Sequence, residues 1–199
     1  MDSFQLAKMN YEIAHSDYSN HVRLRDNVLL IFLAASGTIF GVSLGTAKTN
    51  EMLLIIPILA LGCSILVAHH SIIIGMVFEY CYFELNQFLS TEEINNHPPI
   101  IERSIAWEKN RESTIRLRSI GHSIILGAPC VVAILFNWSH AYTFSMPATN
   151  GLWLGILCTI LSVIIIYKMN RDRIKSFRVA KAREQKHTSL EPTEYGKGV

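Results

Sequence analysis

The stretch Ile31 to Gly45, IFLAASGTIFGVSLG, has no charged residue and carries glycines four residues apart at Gly37, Gly41 and Gly45. It sits inside an apolar run from Asn27 to Ala47, which matches the ~20 residues a helix needs to cross ~30 Å of hydrocarbon. Working outward, Met52 to Gly75, Gly121 to His140 and Asn150 to Tyr167 have the same character. The expected fold is all-α: a four-transmembrane-helix protein with helical extensions, both of its termini cytoplasmic.

Composition agrees with that reading. Hydrophobic residues make up 50% of the 199 residues and charged ones 17%, against roughly 25% charged in a soluble domain. The longest polar segment, Glu79 to Ser119, spans 41 residues, too few for a separate catalytic domain of ordinary size. The chain has no HExxH, GxSxG, Walker A or glycine-rich dinucleotide motif, and between Asn27 and Gly75 its only carboxylate is Glu51. An enzyme is not expected, nor is a DNA-binding domain or a cofactor. Cys63, Cys130 and Cys158 fall inside spans and Cys81 just beyond one, with no zinc or redox spacing, so free thiols and no metal are expected.

Orientation follows from where the positive charge lies, because Lys and Arg in short loops favour the cytoplasmic side. Of 18 basic residues, Lys48 alone lies in a loop on one side, the segment from Ala141 to Thr149 has no charge, and the other 17 lie opposite. The chain therefore divides into a cytoplasmic amphipathic helix over 1–26, a membrane hairpin over 27–75, a cytoplasmic helical hairpin over 76–120, a second membrane hairpin over 121–167 and a basic cytoplasmic tail over 168–199. The expected location is the inner (plasma) membrane, with span one as a retained signal anchor.

In the first segment Phe4, Ala7, Tyr11, Ala14, Tyr18 and His21 recur at steps of three and four, one stripe of a helix that continues into span one. Ser90 to Pro99 has the chemistry of a helix end and turn. From Ile100 an amphipathic pattern leads into span three, where Glu112 and Arg116 have the spacing of an i,i+4 ion pair. Residues after the basic run, rich in Gly, Pro and Thr, have a disordered composition.

Several features could carry function. Gly37, Gly41 and Gly45 form a flat strip suited to close helix contact in lipid; Ala60, Ser64 and Ala68 repeat the spacing, as do Gly151 and Gly155. Such strips serve either packing within the chain or contact between subunits. His69 and His70, with Ser36, Ser43 and Ser64, are polar groups at membrane depth; they are candidates for a pore lining or a protonation-sensitive gate, and the histidines equally suit a neutral interfacial pair. Pro57 and Pro129 are static packing features or hinges. The tail, with Arg171, Arg173 and Lys175, suits anionic lipid, an acidic partner or a nucleotide.

An Arg-bearing helix HVRLRDN entering the glycine-rich span, then a short turn, the proline-containing MLLIIPILALG, and a hairpin with AWEKNR at Ala106 to Arg111 together resemble small bacterial four-span proteins of phage-defence systems. These are the SLATT-like effectors and the channel-forming Hailong A type. The resemblance covers most of the chain in architecture and rests on the glycine-rich span and the Trp107–Glu108 pair. It implies a homo-oligomer in the lipid bilayer that permeabilises the inner membrane on infection. Control would come through its cytoplasmic helices, from a nucleotide or from a nucleotidyltransferase or sensor partner, with Trp107 and Glu108 as contact candidates. Other readings consistent with the residues are a non-conducting scaffold that recruits a soluble partner and a small transporter.

Overall fold

The computed structural model describes residues 3–45, 50–81, 101–138 and 146–190, with side chains described over 5–45, 51–81, 115–138, 149–175 and 178–179. The described residues are entirely helical. Helix α1 runs from Ser3 to Gly45, a 3-10 turn from Asn50 to Leu54 leads into α2 at Ile55–Glu79, α3 covers Ile101–Trp138 and α4 covers Met146–Leu190. All four are long and apolar enough to cross a membrane.

Helix lengths dictate what must lie outside a bilayer. At ~1.5 Å per residue, the 43 residues of α1 and the 45 of α4 each extend roughly twice the ~30 Å of a hydrocarbon core. The amphipathic stripe and span one are therefore parts of a single rod, in which Ala7 and Ala14 are buried. The basic run after span four is likewise helical to Leu190, while the turn expected over Ser90 to Pro99 and residues 191–199 lie outside the described residues.

Helix α2 is the centre of the bundle. Of its most apolar stretch 44% is buried, against 22% in α1 and α3 and 33% in α4. It packs mainly against α1 on one side and α4 on the other, with α3 seated on α4. Phe32 of α1, Ile56, Ala60 and Val67 of α2, Leu126, Cys130 and Ala133 of α3, and Ile166 of α4 share the core. Outward, Leu30, Ile31, Leu135 and Trp153 are each more than 60% exposed. So large an apolar exterior suits lipid rather than water.

Proline positions differ from the sequence reading in one respect. Pro57 does not interrupt a span: it is the third residue of α2, in the first turn, where the N–H it lacks would have no partner inside the helix. It is fully buried and acts as packing rather than as a hinge. Pro129 does lie inside α3.

Candidate functional site

Helix pairing brings polar groups from all four helices to one end of the bundle. His21 of α1 meets His70 of α2, with Nδ1 atoms 3.0 Å apart, and Asn170 of α4 donates to the Ser119 hydroxyl of α3 at 2.6 Å. A proton between the two imidazoles belongs to one Nδ1 at a time, so one ring donates and the other accepts. His69 stacks edge-on against His70 but points outward.

Arg25 is the most deeply placed cation at this end, 2% exposed. Its Nε and Nη2 donate to Asp26 Oδ1 at 2.9 and 2.7 Å, while its Nη1 is buried with no hydrogen-bond partner among the described residues. Its charge acts on His70, on the buried His122 and on Arg173. Arg118 of α3 acts on the same His122 and Arg173. Arg173 folds over Gly75, where an added Cβ would lie 3.5 Å from its Nε; a glycine at that point leaves the guanidinium room against α2. Asp26 and Glu79 supply the opposing negative charge.

Small-residue strips separate into two kinds. Ala60, Ser64 and Ala68 are buried inside the bundle. Gly151 and Gly155 seat the start of α2, since an added Cβ would lie 3.3 Å from Leu54 Cδ1 and 3.5 Å from Pro57 Cγ respectively. Around Gly37, Gly41 and Gly45 an added Cβ would meet nothing within 4 Å. That strip faces out from a helix that packs mainly on α2.

The serines point the other way. Ser36 and Ser43 are buried on the inner face of α1, and neither hydroxyl finds a partner among the described residues. Ser64 donates to the Leu61 carbonyl, and Asn137 donates to the Ala133 carbonyl while its Oδ1 has no partner among the described residues. Arg171 and Lys175 are exposed on α4. Trp107 and Glu108 lie in α3, and their side chains are outside those described. No cluster of metal-ligating side chains occurs among the described residues, and the four cysteines are free.

Nothing in HVRLRDN by itself sets the buried Arg25 apart from the exposed Arg23. The same three-and-four stepping runs on from His21 to residue 25 and then to Leu29, Phe32 and Ser36, which are buried, as are Ala7 and Ala14 earlier on the stripe.

The chain matches no protein-family model, no curated protein and no solved structure.

Proposed function

We propose that the protein is a homo-oligomeric membrane effector whose copies meet through the glycine face of α1 and form or gate an ion-permeable pore. The observation that carries this reading is the contrast between the strips: two are filled by the chain's own helices, and the glycine strip of α1 is left open. Close approach of backbones is what such a strip provides in lipid, and a four-helix bundle needs further copies to enclose water. The hydroxyls of Ser36 and Ser43 on the inner face, without a partner among the described residues, supply groups that hydration would satisfy.

In line with the resemblance to phage-defence effectors, the proposed outcome of this activity is membrane disruption and growth arrest during infection. Charge placement favours both termini in the cytoplasm at the inner membrane. A nucleotide or a partner protein would then act on the same side, through the segment of Trp107 and Glu108 or the exposed Arg171 and Lys175, which the structure separates from Arg173, turned inward over Gly75. Cys81 provides a check of sidedness. A membrane-impermeant maleimide is expected to label Cys81 in inverted vesicles and not in intact spheroplasts. Burial pushes its thiol pKa up, so labelling there should rise as the pH is taken above neutrality, since the thiolate reacts. Labelling from outside would reverse the topology.

Subunit contact is tested by cross-linking in native membranes, with the four native cysteines replaced. Gly41→Cys should yield a disulfide-linked dimer on mild oxidation, whereas Leu135→Cys, on the exposed face of α3, should remain monomeric. Equal cross-linking of the two variants would mean that the contacts are collisional and would remove the glycine face from the account.

A further inference from the structure

We infer that Arg25, Arg118 and Arg173 form a binding site for a phosphate-class oxyanion at the polar end of the bundle. The starting observation is Arg25 Nη1, which is enclosed, carries its share of a permanent charge and has no acceptor among the described residues. A buried donor left unmade is strongly unfavourable, and a guanidinium does not escape by losing its proton. The neighbouring carboxylate does not meet the need, because Asp26 occupies the Nε and Nη2 edge through one oxygen and its side chain is 53% exposed.

Further positive charge at the same end of the bundle comes from two other helices. Arg25 comes from α1, Arg118 from α3 and Arg173 from α4, and Arg173 is subject to repulsion from both of the others. Glu79 and Asp26 offset part of it. An oxyanion with several acceptor oxygens would accept a charge-assisted hydrogen bond from Arg25 Nη1 and offset the repulsion at once.

The site's depth adds a constraint. Arg25 stands just before the apolar run that begins at Asn27, and Arg118 just before the run that begins at Gly121, which is the level of phospholipid headgroups. The oxyanion can therefore be the phosphate of an anionic lipid or a soluble phosphate or phosphoryl group reaching the same pocket from water. The inference does not depend on conduction, and its readout is stability rather than flux.

The full chain is placed in nanodiscs of phosphatidylcholine alone, with and without inorganic phosphate, and in discs containing phosphatidylglycerol, and thermal unfolding is followed. Binding to the folded state should raise the midpoint by about 5 °C near hundredfold saturation. A rise with inorganic phosphate in neutral discs identifies a soluble anion, and a rise with phosphatidylglycerol alone identifies a lipid headgroup; either supports the site. Arg25→Gln and, at the exposed rim, Arg118→Gln should each lose most of the shift, while Lys8→Gln on the far part of α1 keeps it. If Arg25→Gln does not fold, Arg118→Gln decides. No shift in the wild type under any condition, or an undiminished shift in Arg118→Gln, overturns the inference.

Discussion

Gly41→Leu is expected to abolish ion flux and reduce the detergent-solubilised particle to a single copy, while the chain still inserts and keeps its helical content. The reason is local. An added Cβ at Gly41 meets nothing within 4 Å, so the chain's own packing loses nothing, and leucine at an exposed apolar site is at home in lipid. Between two copies the same side chain would hold the helix axes apart and remove the backbone approach on which association in lipid relies. Flux at wild-type levels from Gly41→Leu at matched expression would show that the strip is merely a lipid-facing surface.

Gly155→Leu should give the opposite pattern, with a loss of fold before any loss of assembly. Gly155 is buried, and its Cβ position already lies 3.5 Å from Pro57 Cγ and 3.8 Å from Leu54 Cδ2. Alanine fits at ordinary contact. A leucine must displace the proline ring that opens α2, and overpacking of this kind destabilises by about 1–3 kcal/mol. The expected readout is a lowered thermal midpoint and increased proteolysis in mild detergent. A midpoint unchanged from the wild type would mean that α2 and α4 are less closely packed at this end than the structure has them. Together the two variants separate a surface used between copies from one used within a copy.

Much of this architecture is legible in the sequence because long apolar runs leave few alternatives to helices. Uncharged runs such as Ile31 to Gly45 have the composition of helices able to cross a membrane, and the stripe from Ala7 to His21 shows that α1 begins well before its apolar run. Which small-residue strip faces inward is not legible: Gly37, Gly41 and Gly45 have the same spacing as Ala60, Ser64 and Ala68. Their different fates depend on α1 lying at the edge of the bundle and α2 at its centre. Pro57 misleads for a related reason, since the helix start at Ile55 is set by the 3-10 turn before it rather than by an apolar boundary.

At the polar end, His70 was visible as an ionisable group in an apolar span, but its partner His21 lies 49 residues away and on another helix. Arg25 is harder, because arginine beside a span is what the positive-inside rule expects, and only the continuing three-and-four step reveals that it turns inward. A periodic stripe carried past its last apolar member is the transferable signal.

Pore formation by assembled copies is tested most directly by flux from ion-loaded liposomes containing the purified chain, with the particle sized in parallel and Gly41→Leu reconstituted beside it. The account predicts flux from a discrete wild-type oligomer and none from the variant. A wild-type monomer or dimer that leaks nothing, with candidate nucleotides present as well as without them, would contradict it and favour a non-conducting membrane scaffold.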